Sequence, residues 1–267
     1  MKITHVSLLQ QQRDLYAMPR NRERFDAYLR VIKGDTDDVA LPPLIAMNPM
    51  GREHLGTRLD ELLMLGADEI AKQATLDAHT RLTNIEIANI EIANIEIANI
   101  ETTNLEPELK HGLVIVDDVH GGWTNRYTTE ATAFFNDDNC RKRHWITTML
   151  WVSETPTHDA IRQSVLRSIG RTAHIFQHGL PKTLQSMMRQ EGFAAKFAQM
   201  TVHLNEDDVT YSREVIAPLL DSTDYGLCLA VMYGDPAANM LGYTPQGLSD
   251  RAGFAVALDD ALNLSTN

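Results

Sequence analysis

The chain has 267 residues, 43% hydrophobic and 22% charged, with a net charge of −12 and an isoelectric point near 5.2; this is an ordinary globular balance that excludes global disorder and fibrous repeats, and it lacks the broad basic footprint that nucleic acid or anionic lipid requires. Cys140 and Cys228 lie far apart and outside any CxxC pattern, which excludes a disulfide framework or a cysteine-rich zinc site and fits reduced thiols in a cytosol. The amino terminus MKITHVSLLQQQRD has no export-type apolar core, and no run approaches the roughly eighteen apolar residues of a membrane span, so a cytoplasmic protein without a membrane partner is expected.

In chain order, residues 7–17 and 20–33 read as helices broken at Pro19, the second carrying Phe25, Tyr28, Leu29 and Ile32 at helical spacing and ending at Gly34. Leu44-Ile45-Ala46-Met47 reads as a first short strand, followed by the loop Asn48-Pro49-Met50-Gly51. A helix then carries Leu55, Leu59, Leu62 and Leu63, with Glu53 and His54 in its first turn, where they can face the same edge as the strand ends. Gly66 breaks it before a second helical stretch from Ala67 to Leu82.

From Asn84 the unit Asn-Ile-Glu-Ile-Ala repeats at Asn89 and Asn94, with decaying copies at Asn99 and Thr103. A period of five advances a helix by about 500° and alternates sheet faces, so neither an amphipathic helix nor a regular two-sided strand explains it. Read from the alanine, the unit A-N-I-E-I resembles the A-[ND]-L-x-x register of pentapeptide-repeat proteins, a resemblance that implies a parallel β-coil with four units per turn. It covers residues 84–106 alone, little more than one coil, and solenoids bury a core only by stacking several neighbours. The expected reading is a low-complexity insertion between a helix and a strand.

Gly112 to Glu130 holds the sharpest change of polarity. Leu113, Val114, Ile115 and Val116 form an apolar run expected of a strand buried on both faces, and Asp117, Asp118, His120, Gly121, Gly122, Trp123, Thr124, Asn125 and Arg126 follow without a break. A strand, a polar glycine turn and a helix start is how open parallel sheets build ligand sites. The exposed amides of Gly121-Gly122, the Thr124 hydroxyl and the Arg126 guanidinium suit an anion. Neither a P-loop nor a GxGxxG turn is present, and the same glycines and aspartates also serve as turn formers and caps.

A short helix over Thr128–Phe135 precedes the strand Trp145–Val152, which empties into Ser153-Glu154-Thr155-Pro156-Thr157, with Thr155 as the expected cap of a helix buried through Ile161, Val165, Ile169, Ala173 and Phe176. Further helices are expected from Pro181, weakened at Gly192, over Asp207–Leu220, over the ambiguous run Leu227–Met232, and from Ser249. His174 and His178, four apart, can present two imidazoles on one helical face, but beside Arg167 and Arg171 they read better as a solvated face than as a metal pair. Asp117, Asp118 and His120 make a chemically better mixed set for a metal, although adjacent strand-end aspartates point in different directions.

These readings assemble into a single α/β domain over 1–267: a small, mostly parallel three-stranded sheet from the runs at 44–47, 113–117 and 145–152, flanking helices, a helix-rich carboxyl half and the pentapeptide-type repeat insertion at 84–106. Ligands of such sheets sit outside the carboxyl ends of the strands, so the loops Asn48–His54, Asp117–Arg126 and Ser153–Thr157 are expected to converge. The functional expectation is a small-molecule enzyme that binds an anionic metabolite. Asp117 or His120 would be its acid/base, and Asn48, Gly121, Gly122, Thr124, Asn125, Arg126 and Glu154 would hold the ligand. The sequence names neither reaction nor cofactor. An alternative stays open: a non-catalytic interaction protein whose helical carboxyl half forms a homo-oligomer or partner surface.

Overall fold

The computed structural model describes residues 1–34, 38–93, 108–120, 125–134 and 142–263, and over 85–93 the backbone alone. The apolar run after Gly112 is the end of a longer strand, β2 (Glu108–Val116), which lies between β1 (Lys2–Val6) and β3 (Trp145–Trp151) in a three-stranded, all-parallel sheet of order β1-β2-β3. Leu113 to Val116 are buried throughout, as expected where both faces of a parallel strand are covered. Register divides β2 between its neighbours: β1 runs from Lys2 opposite Glu108 to Val6 opposite Gly112, whereas β3 runs from Trp145 opposite Lys110 to Trp151 opposite Val116. Among the described residues, the last stretch of β2 therefore has no strand on its β1 side. There the fully buried Gln12 of α1 (Leu9–Ala17) donates from Nε2 to the Ile115 carbonyl at 3.2 Å and accepts the Ile115 amide at 3.0 Å. A primary amide carries the same donor and acceptor as a peptide, so one side chain stands in for the missing strand.

The expected strand at 44–47 is instead a 3-10 helix, Pro42–Ala46, and β1 supplies the third strand. Pro42 and Pro43 have no amide to give a sheet ladder, while Leu44 and Met47 still reach full burial from the turn. The turn lies close over β2 at Gly112, where a Cβ would stand 2.6 Å from Leu8 Cδ1 and 3.1 Å from Pro43 Cγ. Helix α2 (Arg22–Lys33), capped by the Asn21 side chain, precedes the turn, and α3 (Glu53–Met64) and α4 (Ala67–Ala93) follow it. The first two repeat copies thus continue α4 and form no β-coil, because extending an existing helix adds one hydrogen bond per residue and needs no common apolar face. The later copies, 94–106, lie outside the described residues.

A buried chain of hydrogen bonds crosses the three strands. Asp68 Oδ1 of α4 meets His5 Nε2 of β1 at 2.9 Å, His5 Nδ1 meets His111 Nδ1 of β2 at 2.9 Å, and His111 Nε2 meets Thr148 Oγ1 of β3 at 2.8 Å. Asp68 can only accept, so His5 donates from Nε2; with both rings neutral, His5 Nδ1 then accepts from His111 Nδ1 and His111 Nε2 accepts from the Thr148 hydroxyl. Burial, with a smaller contribution from His5, holds His111 well below the usual imidazole range.

The chain divides into two compact units, Met1–His120 with Asp138–Leu166, and Gly121–Asp137 with Arg167–Asn267. Helix α6 (His158–His178) contributes to both; the oxygen of Thr157, and not that of Thr155, accepts from the Ala160 amide at its start. The second unit is helical: α5 (Arg126–Thr132), the remainder of α6, α7 (Leu184–Phe197), α8 (Glu206–Ile216) continued by a 3-10 turn, α9 (Tyr225–Tyr233), α10 (Asp235–Leu241) and α11 (Ala252–Asn263). The ambiguous run at 227–232 is the buried helix α9, capped by Asp224, whose carboxylate accepts the Leu227 amide at 2.7 Å. Gly192 does not weaken α7. It lets α11 approach, since a Cβ there would stand 2.2 Å from the Ala257 carbonyl oxygen. Beside it, Glu191 has a side chain without exposure and is bound by Arg171 and Arg167 of α6 at 2.5 and 2.8 Å. Burial would raise this carboxyl, but the two guanidinium charges outweigh it and bring it down to about 2. No helix among the described residues is long and apolar enough to cross a membrane.

Two outcomes follow. Glu191→Gln removes the carboxylate that binds two largely covered guanidinium groups and is expected to cost about 3–5 kcal/mol, read as the shift of the urea unfolding midpoint. For His111, the unfolded chain takes up a proton near pH 6.5 that the folded chain refuses. Its contribution is therefore complete above that pH and is lost below it, by up to about 1.4 kcal/mol per pH unit. Urea midpoints measured from pH 7 to 5.5 should fall, and fall less steeply in His111→Gln.

Candidate functional site

Asp117 is the first residue beyond β2, and at 8% exposure it is a buried carboxylate. Its Oδ1 accepts the amides of Val119 and His120, both at 3.1 Å, folding the loop back on itself as aspartates do in turns. Its Oδ2 accepts from His54 Nε2 at 2.9 Å. The turn also brings the exposed His120 ring to 4.1 Å from the His54 ring, centroid to centroid. His54, Asp117 and His120 each offer a ligand atom, and these atoms all lie within 4.8 Å of one another, the one such group of three among the described residues.

His54 comes from the second residue of α3, a helix whose cap residue Arg52 makes no side-chain hydrogen bond to the first turn. The partly positive end of that helix therefore lies at the carboxylate. Asp118 turns away from its neighbour: its Oδ1 accepts the Ser153 amide at 3.0 Å and its Oδ2 the Ser153 hydroxyl at 2.6 Å. Asn48 is tied in by the buried Tyr16, whose hydroxyl donates to the Asn48 carbonyl at 2.7 Å. Burial, then the charge of Asp117, raises the Tyr16 phenol far above its usual range. The loops that begin at Asn48, Asp117 and Ser153 are thus joined through His54–Asp117 and Asp118–Ser153.

Beside this cluster runs a small groove of about 20 Å³ lined by Arg58, Leu62, Ile115, Trp151, Glu154 and Ile161 among others. Arg58 is one turn beyond His54 on α3, and Ile115 is two residues before Asp117 on β2, so the groove continues the faces that carry the cluster. Arg58 spans it, donating to the Val152 carbonyl at 3.0 Å and to Glu61 at 2.5 Å.

The other sequence-predicted residues are placed differently. Gly121, Gly122 and Thr124 lie outside the described residues. Asn125 and Arg126 belong to the second unit, where the Asn125 side chain accepts the Thr128 amide at 3.2 Å and caps α5, and Arg126 Nε donates to Glu130 at 2.7 Å. Arg251 also reaches Glu130, at 2.9 Å. His174 and His178 pack with ring centroids 4.4 Å apart, but His174 is half-buried against Phe193 and not on a solvated face. Burial, then the neighbouring His178, lowers His174 to about 4. Sequence reasoning did not count His54 among the site residues, though its place in a first turn facing the strand ends was the signal.

Over 76 residues the chain is 36% identical to the uncharacterized protein YjfC of Bacillus subtilis (strain 168), a match that covers 25% of this chain and 25% of that protein. The chain thus aligns with only a quarter of the length of this curated relative. No family model and no solved structure matches the chain.

Asp117 and Asp118 differ in what their loss exposes. Asp117→Ala removes a buried carboxylate that holds two amides and the His54 ring, at an expected cost of about 2–3 kcal/mol, whereas Asp118→Ala releases bonds near solvent and should cost about 1 kcal/mol. Chemical denaturation of the two variants side by side gives the order.

Proposed function

We propose that the protein is an enzyme acting on a small anionic metabolite at the carboxyl ends of β2 and β3, with His54, Asp117 and His120 as the centre that withdraws a proton from the substrate or from water. The observation that carries this reading is the buried Asp117 carboxylate, held by backbone amides and by His54 with a second imidazole alongside. A carboxylate so fixed orients an imidazole and balances the positive charge that proton transfer places on it, while the exposed His120 faces arriving ligand. Asp117 orients in this arrangement and does not itself travel. The first-turn end of α3 favours negative charge on the substrate, and Arg58 and Glu154, which line the small adjoining groove, contact its polar groups.

A thermal-shift screen of phosphorylated and carboxylated metabolites tests the reading, because a ligand of the folded state must raise stability. At a hundred times its dissociation constant a true ligand adds roughly 2.7 kcal/mol, which for a chain of this size is an increase of roughly 5 °C or more in Tm. That increase should vanish in His54→Ala and His120→Ala and persist in His178→Ala. No increase with any compound of either class would sink the proposal.

A further inference from the structure

The same three side chains carry a second property, which rests on the reading just given. We infer that His54, Asp117 and His120 hold one divalent first-row transition ion, leaving open positions for water and substrate. The donor set is two imidazole nitrogens and one carboxylate oxygen, a combination borderline ions such as zinc, iron, cobalt and manganese accept; magnesium and calcium favour all-oxygen shells.

Geometry supports the assignment. Ligand atoms about 2.0–2.2 Å from a common ion lie roughly 3.0–3.5 Å from one another in tetrahedral or octahedral arrangements. His54 Nε2 and Asp117 Oδ2 are already 2.9 Å apart, and the whole set lies within 4.8 Å. The remaining closure falls to His120, whose side chain is exposed and whose backbone amide donates a hydrogen bond to Asp117 Oδ1. Each ligand also has a different anchor: a first helical turn for His54, a strand end for Asp117 and a carboxylate-closed turn for His120. The amides of Val119 and His120 occupy Asp117 Oδ1 and leave Oδ2 turned to the imidazoles, the outer-shell support that orients metal ligands. With its three side chains as ligands, the centre would take its base from an ion-bound water, whose pKa the ion would lower, and not from a free imidazole.

The test is a titration of chelator-treated protein with cobalt(II) chloride, followed by visible absorption and calorimetry, with zinc(II) and manganese(II) in parallel. Expected are one equivalent bound per chain and ligand-field bands for cobalt. His54→Ala and His120→Ala should each weaken binding at least tenfold, while circular dichroism stays that of the parent and His178→Ala binds unchanged. No binding of any of the three ions at millimolar concentration, or binding that survives both substitutions, overturns the inference. The two proposals separate cleanly. A metabolite-induced rise in Tm that is undiminished after chelation sinks the ion and leaves the enzyme, whereas stoichiometric cobalt without any metabolite response supports the ion and sinks the enzyme.

Discussion

The constraint on which the first unit depends is the unfinished edge of β2. β1 stops pairing at Gly112, yet the strand must continue to Val116 to deliver Asp117 to its end. A buried peptide without partners costs on the order of 1–3 kcal/mol, enough to fray the strand just where the cluster begins. Gln12 prevents this with a single amide, donating to and accepting from Ile115. The same contact fixes α1 to the sheet, and α1 carries Tyr16, whose hydroxyl holds the Asn48 carbonyl at the head of the next loop. Asp117, Tyr16 and Asn48 are thus coupled through one helix.

Beyond that edge the site is assembled from backbone ends. Strand termini and first helical turns expose polar groups in fixed directions, and Asp117 uses both of its oxygens on such groups, one toward the loop amides and the other toward His54. Asp118, one residue later, points the opposite way and fastens Ser153 after β3. Two adjacent aspartates therefore do different work: one shapes a reactive cluster, the other ties two loops together.

Much of this was legible in the residues. The parallel sheet, the buried β2, the plain strand after Trp145, the helical carboxyl half and the loops that meet at the strand ends all carry strong periodic or polarity signals. What escaped has physical reasons. β1 places Ile3 and His5 inward, and His5 is covered only because Asp68 and His111 satisfy its ring, a pairing of residues distant in sequence. The run at 44–47 has a strand's composition, but the prolines ahead of it close a turn. α10 was missed because Asp235-Pro236 marks a start that lacks a periodic apolar face. His54 and Gln12 act through contacts with residues far along the chain, which local pattern does not encode.

The division of the chain into alternating segments has a consequence for synthesis. The first unit is completed only by its second segment, since β3 follows the excursion of 121–137 into the other unit. A ribosome therefore presents β2, apolar from Leu113 to Val116, before Trp145–Trp151 has been made to cover its far edge. An open parallel edge of such composition invites pairing with other chains, so the nascent polypeptide passes through a window in which chaperone protection or slow elongation would matter most. By the same connectivity, no single proteolytic cut can release either unit with all its segments and nothing of the other.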